Sequence, residues 1–148
     1  MRRMMMLGIA AALVSGCAVD TGDEDQAGES EEAFTKNLKT TSISQTDPFT
    51  VPLGTVIRVT SKADIADRAS CGSTGYAVRL IRFDKSSTGT IHQVREGIDR
   101  TYPLNQPHVE AWIGLHGGMY RVEFETQRAK RGCELIGVAT VDITPPKP

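Results

Sequence analysis

Aromatic residues are scarce. They make up 5% of the 148 residues, and Trp112 is the single tryptophan. A chain so poor in rings offers few platforms for stacking bases, and its formal net charge of −1 gives no general attraction to a polyanion. Nucleic acid is therefore not an expected partner. Long apolar runs are missing as well. The extended run at residues 4–14 holds eleven residues, against the roughly 20 that a helix needs to cross a bilayer. His92, His108 and His116 lack the close pairing that a zinc site uses, and Asp64, Asp67 and Asp84 lack the spacing of a calcium loop. No HExxH, GxSxG, P-loop or GxGxxG pattern occurs. Neither a metal nor a cofactor is expected. Cysteine is rare too, with Cys17, Cys71 and Cys133 making up the set.

The informative segment is the start of the chain. Arg2 and Arg3 are positive, residues 4–14 are uncharged and apolar, and the small residues Ser15 and Gly16 precede Cys17. This is the three-part layout of a secretory signal. Leu13-Val14-Ser15-Gly16-Cys17 resembles the lipobox of bacterial lipoproteins, with an aliphatic residue three places before the cysteine and small residues just ahead of it. The resemblance covers the first 17 residues and no more. It implies a cleaved signal peptide over 1–16, a diacylglycerol thioether on Cys17 and a membrane as partner through palmitate-like chains. One acyl chain holds a protein marginally, whereas two or three hold it stably. Ala18, rather than an aspartate, favours the outer membrane if the host is Gram-negative. The cell envelope, on its periplasmic or outer side, is the expected location.

Charge divides the rest of the chain. Residues 18–33 carry seven acidic residues and no Lys or Arg, whereas the chain from Phe34 onward carries 15 basic and 11 acidic residues. The acidic stretch is too polar to bury surface that would offset its ordering entropy. The expected organisation is an acidic linker over 17–36, a domain over 37–144 and a proline-rich tail over 145–148.

Within the domain the apolar residues recur with a period of two. Tyr120, Val122 and Phe124 alternate with Arg121, Glu123 and Glu125, as a strand with one wet face requires. Val109, Ala111, Ile113 and Leu115 also alternate, and Gly117-Gly118 between the two runs predicts a tight hairpin. Further strands are expected at 55–60, 76–83, 91–95 and 135–143, with edge strands at 38–44 and 49–53. Residues 76–83 place apolar side chains on both faces, which predicts a bulge or a two-sided strand. Asp64 to Ser70 has room for one helical turn. The expected fold is all-β, a small antiparallel sandwich of about seven or eight strands.

An exported chain with Cys17 lipidated leaves Cys71 and Cys133 as an even pair, and a disulfide between them is expected. Two site readings remain. Arg128, Lys130 and Arg131 form a basic loop that, with Arg79, Arg82 and Arg95, would make a patch for anionic envelope glycans or lipids. The alternative is enzymatic. His116-Gly117 followed by Gly132-Cys133 faintly resembles the signature of L,D-transpeptidases, which implies cysteine-dependent peptidoglycan chemistry with His116 activating Cys133. Lys130 and Arg131 stand where that signature has serine and histidine, and its arginine after the cysteine is absent. A binding or structural module of unknown ligand is the primary expectation, not an enzyme.

Overall fold

The computed structural model describes residues 32–72, 75–127 and 133–147. In chain order its elements are β1 (Glu32–Thr40), β2 (Ile43–Gln45), β3 (Phe49–Val51), β4 (Val56–Ile65), α1 (Arg68–Cys71), β5 (Gly75–Lys85), β6 (Ile91–Pro103), β7 (His108–Trp112), β8 (Gly118–Gln127) and β9 (Leu135–Thr144). The strands form two antiparallel sheets. One is ordered β1-β9-β4-β7, the other β2-β8-β5-β6 with β3 also on β8. The all-β sandwich expected from the alternating pattern is the architecture observed. No helix among the described residues is long and apolar enough to cross a membrane.

The core follows from the alternation. Along β4, Ile57, Val59, Ala63 and Ile65 are buried while Arg58, Thr60 and Lys62 are exposed. These buried residues, with Leu135 and Val141 of β9, share one cluster with Tyr76 and Leu80 of β5 and Tyr120, Val122 and Phe124 of β8. Burying each large apolar side chain contributes about 1.5–3 kcal/mol relative to exposure.

Two local expectations change. First, β7 and β8 do not form a hairpin. β7 pairs with β4 in the first sheet, and β8 pairs with β2, β3 and β5 in the second. The chain crosses between sheets here, with Gly114 rather than Gly117 in the left-handed region at φ 67°. The phase of β7 is also inverted. Its apolar Val109 is 59% exposed and Ile113 just beyond it 79% exposed, while Glu110 and Trp112 are partly buried against β6. Second, the strand expected at 38–44 is two strands. Leu38 joins the first sheet opposite Gly137, and Ser44 joins the second opposite Phe124. β1 begins at Glu32, ahead of the expected domain start at 37, because Phe34 packs on Phe49. The expectation for residues 76–83 holds: β5 is buried on both faces, at Tyr76, Val78 and Leu80 and at Ala77 and Ile81, and a bulge interrupts its register on β6. Val78 pairs with Arg100 but Leu80 pairs with Glu96, so Arg79 alone faces Gly97 to Asp99 on β6. The helical turn expected after Asp64 is present as α1.

Candidate functional site

The register of β4 on β9 brings the two downstream cysteines together. Ile65 pairs with Leu135, and the Ala66 N–H donates to the Glu134 carbonyl at 3.0 Å. Cys71, at the end of α1, and Cys133, just before β9, therefore meet with Cα atoms 5.6 Å apart and form a disulfide. Both are buried. His116 lies before β8 and Cys133 after it, so the ten-residue length of β8 separates them along the sandwich. The structure does not bring His116 to Cys133, and the Cys133 sulfur is bonded to Cys71.

The arginines expected to join a basic patch are distributed differently. Arg79 and Arg95 lie on the outer face of β5 and β6, whereas Arg82 points to the other face, as strand alternation requires. Arg79 pairs with Glu125 and with Asp99 at 3.2 Å, and Arg95 pairs with Asp99 at 2.7 Å. Arg82 pairs with Asp84 at 2.7 Å and Glu96 at 3.0 Å. Burial works against the Arg79 charge, but Glu125 and Asp99 outweigh it and raise its pKa. The hydrogen bond to Asp84, followed by the charges of Glu96 and Asp84, raises that of Arg82. These three side chains are matched by acids and supply no free positive field. Arg128, Lys130 and Arg131 lie outside the described residues, as does Cys17.

The outer face of the second sheet carries a further network that the sequence pattern did not reveal. Arg121 pairs with Glu123 at 2.6 Å, donates to Gln93 Oε1 at 3.0 Å and covers the Phe83 ring at 5.2 Å. Gln45 Nε2 donates to Glu123 at 3.2 Å. These partners account for the burial of Glu123 on a face that alternation alone marks as wet.

One flank of the sandwich is sealed by a polar seam between β6 and β7. Tyr102 stacks on His108 with ring centroids 4.8 Å apart, and its hydroxyl donates to Glu110. Arg100 approaches Glu110 at 3.7 Å, and Trp112 Nε1 donates to the Glu96 carbonyl at 3.1 Å. His108 Nε2 is buried with no hydrogen-bond partner among the described residues. The other flank is open. There β1 and the β2–β3 edge enclose a groove of about 380 Å³, with Phe34, Pro48 and Phe49 on its walls and Lys36 and Asp47 beside them. The two rings meet edge to face at 5.6 Å. A concave apolar surface with a few polar groups suits binding. Among the described residues no cluster of His, Cys, Asp and Glu could hold a metal ion.

Fold and site together define an antiparallel β-sandwich with a buried disulfide and an open flank groove. No protein-family model and no curated protein matches the sequence. Among solved structures, a protein from Sulfurospirillum deleyianum is similar at 10% identity and a TM-score of 0.41, over 80% of this chain and 99% of that one. An infectious bursal disease virus structure is similar at 10% identity and a TM-score of 0.39, over 78% of this chain and 32% of that one.

Proposed function

We propose that the chain is a lipid-anchored protein of the bacterial cell envelope whose sandwich acts as a binding or structural module. The observation that carries the reading is the pairing of the cysteines. With Cys71 and Cys133 joined, Cys17 is the cysteine left over, and it stands at the end of the lipobox-like Leu13-Val14-Ser15-Gly16. A disulfide accords with export to an oxidising compartment. The flank groove and the basic loop of Arg128, Lys130 and Arg131 are the surfaces assigned to an envelope glycan, lipid or protein partner.

The anchor is tested by Cys17→Ser in cells fed labelled palmitate. The wild-type chain takes up label and is shortened to residue 17. The variant stays as the unprocessed precursor without label. Label retained by the variant contradicts the anchor.

A further inference from the structure

We propose that the loop tips at Leu53 and Ile113 form a bilayer-contacting edge, and that its occupant is the phospholipid surface holding the anchor; this rests on the lipidation of Cys17. Both side chains are large, aliphatic and open to solvent, Leu53 at 68% exposure and Ile113 at 79%. Each directly precedes a glycine in the left-handed region, Gly54 at φ 86° and Gly114 at φ 67°. That conformation suits glycine and turns the chain sharply at each tip. The two loops are tied together. The Gly54 N–H donates to the Leu115 carbonyl at 2.7 Å, and the Leu115 N–H donates to the Thr55 carbonyl at 3.2 Å. Thr55 Oγ1 donates to the Pro52 carbonyl at 2.8 Å. Leu115 and Thr55 are buried in the body below. The hydrogen bonds between the two loops hold the tips in one arrangement, with Leu53 and Ile113 exposed. Preorganised tips lose little freedom on docking.

The path of the chain decides the occupant. Glu32, at the start of β1, lines a shallow pocket with Pro52 and Pro145, beside Leu53. Cys17 is fifteen residues upstream, a covalent reach of at most roughly 54 Å at about 3.6 Å per residue. A lipidated Cys17 thus keeps a bilayer within reach of the sandwich, and the tether joins the fold at the Leu53 end. At the resulting local concentration, even a small apolar contact is populated. Val138 is also an exposed aliphatic, but it lies on β9 opposite Lys62, five residues from Ile143 at the Glu32 end. It serves as the control.

The test uses the mature acylated protein, beginning at Cys17, in phosphatidylcholine–phosphatidylethanolamine vesicles whose acyl chains are brominated. Leu53→Trp and Val138→Trp are compared above the common Trp112 signal. Insertion of an apolar tip into the headgroup boundary should quench the new tryptophan at residue 53 by roughly twofold more than the one at 138, and shift its emission to the blue. Equal quenching at the two positions overturns the proposal. Palmitate labelling of the same preparations separates the two readings. Labelled protein with equal quenching removes the bilayer edge alone, whereas protein without label removes the anchor and the edge together.

Discussion

Tyr76 and Tyr120 bury their rings between the sheets while keeping their hydroxyls bonded, Tyr76 with Ser61 Oγ at 2.9 Å and Tyr120 to the His116 carbonyl at 2.7 Å. Burial raises both phenols above their ordinary value of 10.0; the Ser61 hydrogen bond opposes the rise at Tyr76, and the Glu96 charge reinforces it at Tyr120. The unfolded chain therefore loses these protons first as pH rises. Their contribution is complete below pH 10 and is lost as the pH climbs through the folded values. Urea unfolding should show a midpoint that falls above about pH 10, with a shallower fall in Tyr76→Phe. An identical slope in the variant would remove Tyr76 from the account. At this scale the sequence is a good guide where apolar alternation means burial, as at Val122 and Phe124. It misleads at Glu110 and Trp112, because the Tyr102, Arg100 and Glu96 groups that receive them come from another strand.

Among the elements, β4 and β9 matter most to the assembly. They pair over ten residues, from Val56 with Thr144 to Ile65 with Leu135, and the disulfide closes the far end of that ladder. The bridge encloses a separation of 62 residues, for which the loss of unfolded-chain entropy corresponds to roughly 4 kcal/mol. Cys71→Ala with Cys133→Ala should lower the unfolding free energy by about that amount, read from urea denaturation. A change under about 1 kcal/mol would show that the bridge does not restrain the unfolded chain. The cysteine pairing is legible from parity and from the export that the start of the chain leads one to expect. The split of residues 38–44 between sheets is not, since Leu38 and Ser44 sit on one continuous polar-and-apolar run and only their partners, Gly137 and Phe124, tell the sheets apart. The β7–β8 crossover is hidden for a related reason. Gly117-Gly118 carries a strong local turn signal, but β7 finds its hydrogen bonds on β4.

For the whole molecule, the architecture is legible in the sequence while the flank groove is not. The lipobox-like run, the acidic stretch and the alternating strands are local patterns, and each is written within a few consecutive residues. The flank groove draws on Phe34 and Lys36 of β1 and on Asp47, Pro48 and Phe49 near β3, which only the docking of two sheets unites. Lys36 interrupts the apolar alternation between Phe34 and Leu38, which gives that strand the look of a linker. The proposed economy of the three cysteines, one lipid and one disulfide, is the claim on which location and orientation both depend. Its most direct measurement is the intact mass of the protein purified from membranes and treated with a thiol-alkylating reagent without reduction. The account predicts a chain that begins at Cys17, carries acyl mass on that residue and takes up no alkyl group. A chain that lacks acyl mass, or one alkylated at Cys71 and Cys133, would contradict it.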